Sequence, residues 1–135
     1  MVLDSWSGVI DGTELEPRLG EVTLVDARAP ERYRGEMEPL DPVAGHIPTA
    51  RNLQFGDNLT ADGRFLDVPA LAERFSDLPG DVVVYCGSGE TASHNLLATD
   101  AAGLGMATLY PGSWSDWCTA GGEVATGPDP GEPTR

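Results

Sequence analysis

The stretch that most limits what this chain can become is Val82-Val83-Val84-Tyr85-Cys86-Gly87-Ser88-Gly89-Glu90-Thr91. It opens as a short apolar run rich in β-branched residues, the pattern of a strand buried on both faces. The run stops at a cysteine. Two glycines follow within three residues, then a threonine suited to an N-cap and a helical run over about Thr91 to Ala102, broken at Gly103. The stretch therefore reads strand, cysteine, small loop, helix. A cysteine at the carboxyl end of a parallel strand lies where open α/β sheets carry their sites. Small residues before a helix N-terminus let backbone N–H groups converge into an anion nest. The same partial positive charge favours a thiolate over a thiol and makes Cys86 a candidate nucleophile. The competing reading is a buried structural cysteine before an ordinary turn, since free cysteines are often simply buried.

The flanking sequence supplies the rest of a layered fold. Thr13 is placed to cap a short helix over Glu14 to Leu19, with Pro17 inside it and Gly20 as a stop. Glu21 to Asp26 reads as a buried strand, and Ala29-Pro30 starts a short helix. Glu36 to Ala44, with two prolines and three acidic residues, reads as an exposed loop. A short strand is expected at Ala50 to Leu53, and a turn at Asp62-Gly63. An amphipathic helix runs from Val68 to Ser76, with Leu71, Ala72 and Phe75 on one face. Thr108 to Tyr110 is a last strand, followed by a turn and short helix near the Cys86 loop. Strands alternating with helices predict a three-layer α/β/α domain around a parallel sheet of about five strands. The domain is expected over residues 1–127, with 128–135 a flexible tail too rich in proline and glycine to bury anything. Trp114 and Trp117 read as core and wall residues, His46 as an imidazole bonding a loop carbonyl, and His94 as a helix-face residue. Cys118 follows no strand and opens no small loop, so it reads as structural or exposed.

Charge narrows the partners. The net charge is −14, with eight arginines and no lysine, which argues against duplex nucleic acid or an anionic membrane as a partner. No apolar run approaches membrane-spanning length and the N-terminus lacks a signal-peptide layout, so a cytoplasmic protein is expected. Two cysteines are too few for a disulfide scaffold. An anionic ligand would need local positive charge, and the densest group is Arg28, Arg32 and Arg34, three arginines in seven residues. Asp26 and Arg28 are expected to bond nearby groups and hold the turn after the strand.

At Cys86-Gly87-Ser88-Gly89-Glu90-Thr91-Ala92 the chain resembles the active-site loop of rhodanese-type sulfurtransferases. It is closest to the Cys-Gly-Ser-Gly-x-Thr form associated with mercaptopyruvate sulfurtransferases. Three further stretches resemble the same family: Leu24 to Arg28 with Glu31 to Gly35, Gly45 to Asn52, and Leu109 to Trp117. The resemblance implies a persulfide on Cys86 as the catalytic intermediate, with Arg32, Gly87, Ser88, Gly89, Glu90, Thr91 and Ala92 binding the substrate. It implies a small-molecule sulfur donor, thiosulfate or 3-mercaptopyruvate, and a thiophilic acceptor such as cyanide, a thiol or a thiol protein. No metal or organic cofactor is implied. In the mercaptopyruvate branch the residue matching Arg32 binds the donor carboxylate, helped by a second arginine in a Glu-Pro-Arg segment. Here that segment reads Glu38-Pro39-Leu40, so thiosulfate is the expected donor. Glu90 is the departure inside the loop, where the family holds an apolar or basic residue. Two other readings stand beside this one. One is a non-catalytic, partner-loaded sulfur carrier or interaction module. The other is a cysteine phosphatase or arsenate reductase, which needs an arginine six positions after the cysteine, where this chain has Ala92.

Overall fold

Three valines and a tyrosine form the central strand because β-branched and aromatic side chains pack well on a pleated surface. The structure, a computed structural model, describes residues 9–39, 41–54, 60, 62–64, 66–74, 81–87 and 108–132. In chain order its elements are α1 (Gly12–Leu15), a 3-10 turn (Glu16–Arg18), β1 (Thr23–Asp26), α2 (Pro30–Arg34), β2 (Arg51–Asn52), α3 (Val68–Arg74), β3 (Val82–Tyr85), β4 (Thr108–Leu109) and α4 (Ser113–Thr119).

The described strands form a parallel sheet in the order β2-β1-β3-β4. Thr23 to Asp26 pair in register with Val82 to Tyr85, and this is the most extensive strand contact. A parallel bridge between Val9 and Leu109 adds one further pairing beside β4. The chain leaves β1 first toward β2 at one edge and later returns to β3 on the other side. That reversal makes a topological switch point between β1 and β3, and a crevice opens at the carboxyl ends of two such strands. Ala27 and Cys86 follow those two ends.

Both sheet faces are buried, as the unbroken apolar run requires. Leu24, Val83 and Tyr85 point to one side and join Leu15, Tyr33, Ile47, Trp114 and Trp117. Val25, Val84 and Cys86 point to the other side, where Leu53 links them to Leu71 of α3. Helices thus cover both faces, and the domain is a three-layer α/β/α fold. Each fully buried Leu or Val contributes about 1.5–3 kcal/mol before the entropy of ordering it.

Several local expectations are corrected. Asp11, not Thr13, caps the first helix: it accepts from Glu14 N at 2.9 Å, and Glu14 bonds back to Asp11 N. Pro17 has no N–H to extend the α-helical ladder, and the chain tightens there into the 3-10 turn. The loop over Glu36 to Ala44 is not uniformly exposed, because the Glu38 and Asp41 side chains turn inward to 5% and 11% exposure. Beyond Gly127 residues 128–132 are exposed, while Pro130 O accepts from Thr49 N at 2.9 Å and lies 3.0 Å from His46 Nε2. The helix expected over Thr91 to Ala102 lies outside the described residues, as do Phe75 and His94.

Candidate active site

Cys86 is delivered by the end of β3 and is 1% exposed. Its position is set from the side by α4. Trp114 N donates to Cys86 O at 2.9 Å and Ser115 N to Gly87 O at 3.0 Å. These are N–H groups of a helix's first turn, which have no partner within the helix and here bond the loop instead. Cys86 N in turn donates to Ser113 Oγ at 3.1 Å. The Trp114 ring is fully buried and its Nε1 donates to Val43 O at 2.8 Å, so the core and this helix are fixed together.

Beside Cys86 runs the segment after β1. Asp26 and Arg28 hold the turn, as expected. Asp26 Oδ1 accepts from Arg28 N at 2.8 Å, and Oδ2 accepts from Arg28 Nη2 at 2.6 Å. Arg28 Nη2 also donates to Gly45 O at 2.6 Å, and its guanidinium lies 5.0 Å from the Trp114 ring centre. Burial works against the charge on Arg28, but hydrogen bonding and attraction to Asp26 outweigh it and push its pKa up. Arg28 is therefore a structural cation, not a ligand-binding one. Gly45 must be glycine: at φ +132°, a Cβ would stand 2.5 Å from Ala125 O.

Arg32, on α2, reaches the cysteine loop. Its Nη1 would lie 3.2 Å from a Cβ on Gly87, so the guanidinium packs directly on that glycine. Arg32 is also claimed from within the chain. Its Nη2 donates to Glu38 Oε2 at 3.0 Å, its Nε to Glu38 Oε1 at 3.3 Å, and Asp41 Oδ2 lies 3.7 Å from Nη2. Asp41 Oδ1 accepts from Ser115 Oγ at 2.8 Å, while its buried Oδ2 has no hydrogen-bond partner. The third arginine, Arg34, pairs with exposed Glu36.

His46 is structural, as expected. Its ring stacks on Tyr33 with centroids 3.8 Å apart, and its nitrogens lie 2.7 Å from Tyr33 O and 3.0 Å from Pro130 O. Cys118 is buried on α4, and burial, then the nearby Asp41 carboxylate, push its thiol pKa up. Ser88, Gly89, Glu90, Thr91 and Ala92, together with Leu40, lie outside the described residues. Cys86, Gly87 and Arg32 are brought together. The sequence reading missed Glu38, Asp41, Ser113 and Ser115. The acidic residues were readable only as members of an acidic loop, and the serines only as parts of a turn.

A profile of the rhodanese-like domain family matches residues 12–120. The chain belongs to the rhodanese-like family. Among relatives of this rhodanese-like domain, a Pseudomonas aeruginosa protein provisionally named 3-mercaptopyruvate sulfurtransferase is 53% identical over 118 residues, covering 82% of this chain and 42% of that protein. A Mycobacterium tuberculosis protein provisionally named thiosulfate sulfurtransferase SseB is 51% identical over 102 residues, covering 73% of this chain and 36% of that protein. The chain thus spans about two fifths of the length of these relatives. The fold matches the Tum1 protein of Saccharomyces cerevisiae with a TM-score of 0.78 at 23% identity, covering 94% of this chain and 48% of that one. Among the described residues no helix is long and apolar enough to cross a membrane.

Proposed function

We propose that this rhodanese-like domain is a sulfurtransferase that carries sulfane sulfur as a persulfide on Cys86, with thiosulfate its better donor. The observation that carries the reading is the placement of Cys86 at the β1/β3 switch point, with its loop carbonyls held by α4 and Arg32 packed on Gly87. The Cys86 thiolate attacks the outer sulfur of thiosulfate. A new S–S bond forms, the donor's S–S bond breaks, and sulfite leaves with the electron pair. Cyanide or a thiolate then attacks the outer sulfur of the persulfide, and the Cys86 thiolate leaves. Backbone N–H groups of the loop over Ser88 to Ala92 are proposed to stabilise the terminal sulfur. No cofactor enters either half-reaction. A cytoplasmic setting belongs to the same proposal, because a reducing compartment keeps such a thiol available.

Donor preference rests on Arg32. A carboxylate donor needs paired or forked cationic groups. Arg32 already spends its fork on Glu38, and the sequence has Leu40 where a second arginine would stand. Thiosulfate makes no such demand. The same ion pair favours a second reading, in which a partner protein loads Cys86 and the domain acts as a sulfur carrier with a thiol protein as acceptor.

The deciding experiment is mass spectrometry of the Cys86 peptide after exposure to thiosulfate or mercaptopyruvate, alongside cyanide-coupled turnover. One added sulfur on Cys86 from thiosulfate, absent in Cys86→Ser, is the expected result. Turnover with neither donor, with Cys86 loaded only by a persulfidated protein, would replace the enzyme reading with the carrier one. A kcat/KM for mercaptopyruvate about tenfold above that for thiosulfate would overturn the donor assignment.

A further inference from the structure

Ser113 meets Cys86 at two atoms. It accepts from the Cys86 backbone N–H at 3.1 Å, and its Oγ lies 4.0 Å from Cys86 Sγ, within hydrogen-bond range for sulfur. The same Oγ donates to Tyr110 O at 2.9 Å. Ser113 is fully buried and stands at φ +57°, a left-handed conformation that costs a residue with a Cβ and suits glycine. A strained, buried polar residue against a reactive atom points to a role for its side chain.

A serine hydroxyl has one proton and two lone pairs. With its proton on Tyr110 O, Ser113 offers one lone pair to Cys86 N–H and the other to an S–H donor. Once the sulfur is a thiolate it can only accept, and the hydroxyl can satisfy it by turning about its Cβ–Oγ bond. The N–H bond from Cys86 polarises the hydroxyl and strengthens it as a donor. We propose that Ser113 Oγ is a hydrogen-bond switch for the Cys86 sulfur, donating to Tyr110 O while the sulfur is a thiol or persulfide and to Sγ whenever it is a thiolate. The inference rests on the reading of Cys86 as the nucleophile. It makes Ser113 a catalytic residue in both half-reactions. It stabilises the attacking thiolate in the first, and in the second it stabilises the thiolate that leaves when the acceptor takes the outer sulfur. The hydroxyl keeps its own proton throughout, and the thiol proton goes to solvent before attack.

The test uses Ser113→Gly, which removes the hydroxyl and suits the backbone angle, in a Cys118→Ser background that leaves one thiol. Alkylation of that thiol by iodoacetamide is followed against pH, and the discharge of preformed persulfide to cyanide is timed. The midpoint of the alkylation profile should rise by about 0.5–1 pH unit, the effect of losing one hydrogen bond of ordinary strength. Persulfide discharge should slow about 3- to 10-fold. A folded Ser113→Gly protein with both quantities unchanged would reduce Ser113 to a structural tie and overturn the proposal. Should the glycine variant fail to fold, Ser113→Ala decides by the same two readouts. If the parent forms no persulfide with any donor, the sulfurtransferase reading fails, while the alkylation profile still judges Ser113.

Discussion

Thr49 occupies a backbone position better suited to glycine. Its φ is +80°, where a β-branched side chain is disfavoured, and its buried Oγ1 has no hydrogen-bond partner. Its N–H is satisfied by Pro130 O, which glycine would retain. Thr49→Gly should therefore stabilise the domain by about 1 kcal/mol, read as a higher urea midpoint at unchanged slope. The two cysteines separate at the same scale. Cys86 ends a strand at the sheet's switch point, whereas Cys118 sits on α4 with its Sγ turned to Ser115 O at 3.7 Å. Cys118→Ser should keep most sulfurtransferase activity, and Cys86→Ser should lose it. Because the pKa of the Cys118 thiol is raised, its thiolate fraction at any given pH falls below that of an exposed cysteine. Its alkylation at pH 8 should accordingly be slower than that of an unstructured peptide cysteine.

Elements set the geometry through ion pairs that cross between them. The Asp26–Arg28 pair joins the end of β1 to Gly45 O and is almost fully buried on both sides. Removing one partner of such a pair strands a buried charge, so Asp26→Ala should cost about 3–5 kcal/mol and show as a large fall in the denaturant midpoint. The contact of α2 with the inward-turned loop is different in kind. Glu38 holds Arg32 in a forked pair at the edge of the site, and Asp41 stands behind it. Glu38→Gln loosens that hold and leaves Arg32 more available to a carboxylate. The ratio of kcat/KM for mercaptopyruvate over thiosulfate should rise about 3- to 10-fold in this variant. An unchanged ratio would show that the pair does not govern donor choice. The strand-to-cysteine run and the Asp26-Arg28 turn were legible because their apolar and charged residues are contiguous. Glu38 was not, since its counter-charge lies on another element and only the folded loop turns it inward.

At the scale of the molecule, the net charge of −14 surrounds a site whose proposed donor is an anion. Like charges slow encounter most at low ionic strength, and screening relieves them. The kcat/KM for thiosulfate should rise about twofold or more between 10 mM and 150 mM salt. Glu90→Gln removes one negative charge from the cysteine loop. It should raise the low-salt value about 2- to 5-fold, by an amount that shrinks as salt is added. A gain that persisted at high salt would point to a local effect in place of long-range repulsion.

The sequence by itself determined the parallel α/β architecture, the cysteine at the end of its central strand and the structural role of His46. Each follows from a local pattern: an apolar run that ends in cysteine and glycine, strands alternating with helices, and an imidazole set between a glycine and a proline. Tertiary structure alone decided that β1 and β3 are neighbours, which puts Cys86 at a topological switch point of the sheet. It also decided that Ser113 faces the sulfur, that Glu38 claims Arg32, and that Pro130 ties the segment after Gly127 to Thr49 and His46. These pairings join residues from different elements, most of them far apart in the chain. Which partner each polar group finds is set by packing of the whole domain, because a buried donor or charge must be satisfied by whatever the fold brings beside it.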